Sequence, residues 1–110
     1  MKFAIPLADG KLTAHFGHCK EFALIDVEEN EIKSKSIIDP PPHEPGVLPR
    51  WLHDLKTDVV IAGGMGHRAI ELFQEKDIQV VTGAPVMEPE ELVRQYLGNT
   101  LTTGSNLCDH

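Results

Sequence analysis

Asp58-Val59-Val60-Ile61-Ala62-Gly63-Gly64-Met65-Gly66 (DVVIAGGMG, residues 58–66) is the stretch on which the fold turns. Its first half is a continuous β-branched run with no alternation of polar residues, which fits a strand buried on both faces. Its second half is a tight glycine loop. Beyond it Ala69, Ile70 and Phe73 recur at helical spacing, so strand, glycine turn and helix follow one another directly. Ile78 to Thr82 repeats the buried-strand pattern, and Gly83-Ala84-Pro85 breaks it. A further helix starts near Pro89-Glu90-Glu91, where proline and acidic side chains suit a first turn, with Leu92, Val93, Tyr96 and Leu97 as its buried stripe.

Upstream, Leu48, Trp51, Leu52 and Leu55 mark a first helix, and residues 40–46 (PPPHEPG) are neither helix nor central strand because proline removes donors and fixes φ. Glu21–Val27 and Glu31–Asp39 read as a hairpin around Glu28-Glu29-Asn30. Lys2–Ala8 reads as the first strand, closed by the turn signal Asp9-Gly10, with Pro6 expected near the strand's end. Residues 9–20 (DGKLTAHFGHCK) break every periodicity and read as a loop. The order β-β-β-α-β-α-β-α predicts an α/β fold, a mixed sheet covered by helices on both faces. Strands one to three meander and right-handed crossovers add two parallel strands. The expected organisation is one domain over residues 1–97 and a tail, GNTLTTGSNLCDH, over 98–110.

The formal charge of −7, with ten scattered Lys and Arg residues, argues against nucleic acid and anionic membrane surfaces as partners. MKFAIPLADG reaches proline and aspartate too early for a secretory apolar region, and no apolar stretch approaches a bilayer span, so a soluble, cytoplasmic protein is expected. In that compartment Cys19 and Cys108 are expected as thiols or metal ligands rather than as a disulfide.

Topology gathers the unusual residues. If strand one runs upward, the 9–20 loop, the His43 loop and the exits at Gly63–Gly66 and Gly83–Val86 share one rim. Open α/β sheets bind ligands on such a rim, outside the carboxyl ends of their strands. His15, His18, Cys19, His43 and His67 fall there. Imidazole and thiolate are the donors that bind zinc, copper and iron–sulfur species, and Gly17 lets His15 and His18 turn to one place. The plainer alternative is a loop with solvated histidines and a small buried cysteine. Phe16 is expected to anchor this loop in the core.

Cys108-Asp109-His110 is a second potential chelate, on a tail long enough to reach the rim or else frayed. Gly63, Gly64, Met65 and Gly66 offer backbone N–H groups that an anionic cluster could approach, but lack the residues of a phosphate loop or dinucleotide site. No nucleophile-and-base signature of a hydrolase or metalloprotease occurs, so no enzymatic activity is expected.

His15-Phe16-Gly17-His18, the DVVIAGGMG segment with Arg68-Ala69 after it, and Gly83-Ala84 together resemble the dinitrogenase iron–molybdenum cofactor biosynthesis family, the NifX-like proteins and NifB C-terminal domains. The resemblance spans roughly residues 1–97. It implies a three-layer α/β/α fold of ribonuclease H-like type, with a five-stranded mixed sheet of order 3-2-1-4-5 and strand two antiparallel. It also implies binding, carriage or scaffolding of an iron–sulfur or molybdenum–iron–sulfur cluster, with His15 as a ligand and with cluster-donor or cluster-acceptor proteins as partners. The metal ligands are expected among His15, His18, Cys19, His43, Cys108 and His110. Two other readings are a mononuclear zinc or copper site with a structural or sensing role, and a protein-interaction or small-anion module using the glycine loop.

Overall fold

A computed structural model describes residues 1–13, 16, 19–42, 46–101, 103 and 104. The chain runs β1 (Lys2–Ala8), β2 (Lys11–Leu12), β3 (Glu21–Glu28), β4 (Glu31–Ile38), α1 (Val47–Asp54), β5 (Val59–Ile61), α2 (His67–Glu75), β6 (Gln79–Val81) and α3 (Pro89–Leu97). The main sheet order is β4-β3-β1-β5-β6, with β2 paired to β1 beside that path. β3 is antiparallel to β1 and to β4, whereas β5 is parallel to β1 and β6 to β5.

The expectation of five strands in order 3-2-1-4-5 is corrected by β2, a sixth strand inside the stretch read as loop. Asp9 and Gly10 both take positive φ, 57° and 82°, the geometry of a tight hairpin turn. The chain therefore folds straight back, pairing Leu7 with Leu12 and Ala8 with Lys11. Pro6 sits where the β5 ladder has already ended at Ala4, and its carbonyl accepts the Thr13 N–H at 3.0 Å. A missing donor is harmless at that position. Glu29 and Asn30, also at positive φ, close the β3–β4 hairpin in the same manner.

Strand alternation divides the core into two layers. Phe3, Ile5 and Leu7 of β1, with Ile25, Val59 and Ile61, meet Leu92 and Val93 of α3 on one face. Ala4, Phe22, Leu24 and Val60 meet Leu48 and Leu52 of α1 and Phe73 of α2 on the other. Two helices on one side and one on the other make the three layers. Lys35 Nζ reaches Glu90 Oε2 at 2.9 Å and ties β4 to the first turn of α3. That bond holds the Glu90 carboxyl below its ordinary range. Its small stabilising effect is therefore present at neutral pH and lost as acid protonates Glu90. Among the described residues, no helix is long and apolar enough to cross a membrane.

Candidate functional site

The carboxyl-end rim of the parallel strands is held together by main-chain hydrogen bonds. The Phe16 N–H donates to the Gly64 carbonyl at 2.8 Å, docking the 9–20 segment onto the glycine loop. The Gly83 N–H donates to the Gly63 carbonyl at 2.6 Å, so the loops after β5 and β6 join side by side. The Lys20 N–H returns to the Leu7 carbonyl at 2.8 Å and closes the base of the 9–20 excursion. Phe16 supplies the side-chain half of this attachment. Its ring stands edge-on to Phe22 and Phe73, with centroids 6.0 and 5.7 Å apart, and it is buried as expected.

Met65 is fully buried in the same layer as Phe16, so its side chain packs into the core. Gly63 and Gly64 are buried and Gly66 is partly open. Gly66 has φ −67°, which any residue adopts, and among the described residues nothing lies within 4 Å of where its Cβ would stand. The backbone therefore does not require glycine there. What glycine does is leave the start of α2 open to approach, and the first turn of a helix offers N–H donors that favour negative charge.

Cys19 lies at the base of the excursion. It is 6% exposed among Phe16, Phe22, Leu24 and Met65, and its N–H donates to the Phe16 carbonyl at 3.3 Å. Burial pushes its thiol from 9.0 up to about 11, against a weaker lowering by a backbone hydrogen bond. Metal ligation there has to displace a tightly held proton, so affinity through Cys19 rises with pH. The same shift bears on stability. In the unfolded chain the thiol ionises at lower pH than in the fold, so its contribution is whole below pH 9 and is lost as pH rises towards 11. Urea midpoints below pH 9 and near pH 11 should show this alkaline loss, and Cys19→Ala should make it smaller.

His15, His18, His43, Cys108 and His110 lie outside the described residues, so Cys19 is the one predicted metal ligand whose surroundings are given. Among the described residues, no group of three or more His, Cys, Asp or Glu is placed to hold a metal ion. The chain brackets of the other ligands can still be followed. His15 and His18 flank Phe16, which is pinned to Gly64. His43 falls between Pro42 and Gly46, after β4 has paired Ile38 with Phe22 near the start of β3. His67 opens α2 at the rim and is exposed. His53, not counted as a ligand, is exposed beside Asp54 at the end of α1, away from these loops.

The sequence did not show where the tail goes. After α3, Asn99 takes a left-handed φ of 58°, and Thr100 and Leu101 both donate N–H bonds to the Gln95 carbonyl. The chain thereby reverses. Leu101 packs on the α3 side of the core, and Leu101 and Thr103 line a groove with Gln79 and Val81 of the edge strand β6. The Gly104 N–H then donates to the Gly83 carbonyl at 2.7 Å, at the rim.

The likeness to known proteins covers nearly the whole chain. A Methanocaldococcus jannaschii protein, MJ0580, is 28% identical over 106 residues, covering 92% of this chain and 89% of its own length. The crystal structure of PH0822 superposes with a TM-score of 0.88 at 30% identity, over 96% of both chains. The apo form of the orange protein from Desulfovibrio gigas shares the fold, with a TM-score of 0.75 at 18% identity over 96% of this chain and 93% of that one. Residues 1–99 match the family described as dinitrogenase iron-molybdenum cofactor, and the chain belongs to that family.

Proposed function

We propose that this protein binds and carries a metal–sulfur cluster of the iron–sulfur or molybdenum–iron–sulfur class and performs no catalysis itself. One NifX-like domain over residues 1–97, of ribonuclease H-like type, and the tail over 98–110 act together in the cytoplasm, receiving the cluster from one protein and passing it to another. The observation that carries this reading is the docking of the 9–20 segment onto the glycine loop through Phe16 and Gly64, the loop that leads into the open start of α2. His15, His18, Cys19 and His43 are the ligands proposed from the loops, with Cys108 and His110 from the tail. Of the loop Gly63, Gly64, Met65 and Gly66, the partly open Gly66 is the point that a cluster sulfide would approach, with the buried Gly63, Gly64 and Met65 behind it.

Anaerobic reconstitution with iron and sulfide tests the reading. Bound iron with a comparable amount of acid-labile sulfide, and charge-transfer absorption in the visible, are the expected results. A colourless product without iron would overturn it. Zinc near one per chain with no sulfide would replace it with the mononuclear reading. Because imidazole must be neutral and thiol ionised to bind, cluster retention should fall as the pH is lowered. Gly66→Ala separates site from scaffold. Its stability should change by no more than about 0.5 kcal/mol, since the backbone and space accept a methyl group, while iron uptake falls.

A further inference from the structure

We propose that the open edge of β4 is a self-association surface, on which a second copy of this chain lays its own β4 antiparallel across a two-fold axis at Ser36. Nothing in this depends on the cluster-binding reading.

β4 ends the sheet, and among the described residues no strand lies beyond it. Its eight residues give a long edge, against three in β6 at the other end. Main-chain alternation tells which groups point outward. The Met1 amino group donates to the Val27 carbonyl at 2.9 Å, and the Val27 N–H donates to the Met1 carbonyl at 2.8 Å. Val27, Ile25 and Ala23 therefore bond to β1, while Asp26, Leu24 and Phe22 bond to β4. Their partners Ser34, Ser36 and Ile38 are turned inward, which leaves the N–H and C=O of Lys35 and Ile37 directed outward. Ile37 is also 44% exposed, one of three large apolar side chains so open among the described residues.

Charge favours a second copy as the occupant. The whole chain carries −7, yet along residues 31–39 Lys33 and Lys35 cancel Glu31 and Asp39. Lysines on an edge strand ordinarily keep like edges apart. Here Glu31 holds Lys33 at 3.3 Å and Glu90 holds Lys35 at 2.9 Å, which removes much of that repulsion. The same residues set the register. Outward-facing residues must oppose one another, so the axis passes through a residue and not between two. An axis at Lys35 would oppose Lys35 to its own copy, and one at Ser34 would oppose Lys33 to Lys35. Like charges directly opposite are destabilising. With those excluded, the axis at Ser36 gives the longest overlap within β4. It opposes Lys35 to Ile37 of the second copy, brings the two Ile37 side chains to diagonal positions on one face, and sets Lys33 against Asp39. Because β4 runs parallel to β1, towards the rim, the two rims point in opposite directions and each stays open.

So short a seam belongs to the weak, transient class of contact, and sedimentation of the full chain should show half-association at about 0.1–1 mM. Ile37→Pro removes one outward donor and no bond to β3, and Ile37→Lys sets a second charge against Lys35. Each change acts twice across the axis, so each should raise the midpoint concentration at least about tenfold, with circular dichroism confirming the fold. Disulfide trapping reads the register, with Cys108→Ser as background. Ser36→Cys places two thiols at a non-hydrogen-bonded pair, about 4.5 Å between Cα atoms, and should give a covalent dimer under mild oxidation. Ser34→Cys, displaced from its copy by about 13 Å along the strand, should not. A chain that stays monomeric, with this edge left for another protein's strand, overturns the proposal. So does association that Ile37→Pro leaves unweakened, or Ser34→Cys trapping as readily as Ser36→Cys.

Discussion

Replacing Phe16 with alanine should lower the free energy of unfolding by about 3–5 kcal/mol, the range for emptying a buried aromatic site. The ring touches Phe22 on β3 and Phe73 on α2, so its loss opens a cavity between sheet and helix and removes two edge-to-face contacts. It also removes the aromatic side-chain anchor of the 9–20 segment, leaving the N–H bond to Gly64 as the main-chain tie at that point of the loop. Urea denaturation measures the first effect. The second appears as a loss of iron uptake under conditions where the variant is still folded, because donors on a loosened loop bind at a greater entropic cost. Phe16→Leu, which refills most of the volume, should recover most of the stability. An alanine variant as stable as the parent would mean that the loop is not anchored in the core.

Gly83→Ala should have the next largest effect. A non-glycine residue held at φ +77° costs about 1–3 kcal/mol, and the added methyl group cannot coexist with the Gly104 backbone in its present place. Gly104 must move away and its hydrogen bond, worth about 1 kcal/mol, goes with it. In a chain near this size each kcal/mol lowers Tm by roughly 4–8 °C, so a clear fall is expected by calorimetry. Hydrogen exchange should accelerate at the Gly104 amide. If the chain without residues 105–110 loses the same stability on this substitution, the strain resides in Gly83 and its contact with Gly104, not in the chain end beyond them.

Much of the architecture is legible in the residue pattern. The Val59–Ile61 run, the glycine loop after it and the Phe73 face of α2 are locally consistent, and local preference agrees with the final arrangement there. Pro89 at the head of α3, with Glu90 and Glu91 behind it, marks that helix start to the residue. The short β2 escapes such a reading although Asp9-Gly10 is a strong hairpin signal. Two residues are too few to display alternation, so the turn shows in the sequence and its returning strand does not. The route of the tail is equally hidden. Its direction is set by a left-handed Asn99 and by a glycine carbonyl on another loop, and neither leaves a periodic trace. Phe16 as core anchor is legible because a lone aromatic in a polar loop has few other places to go. Whether the histidines beside it share one ligand is not, since loop side chains are aimed by tertiary contacts and not by spacing.

The rim is fastened through amides and carbonyls: Phe16 to Gly64, Gly83 to Gly63, Gly104 to Gly83. None of these bonds uses an imidazole or a thiol. Exposed side chains on these loops can thus be exchanged for others, one at a time, with the main-chain platform unaltered. A scaffold of this construction lets the chemistry of its loops drift between relatives faster than shape does.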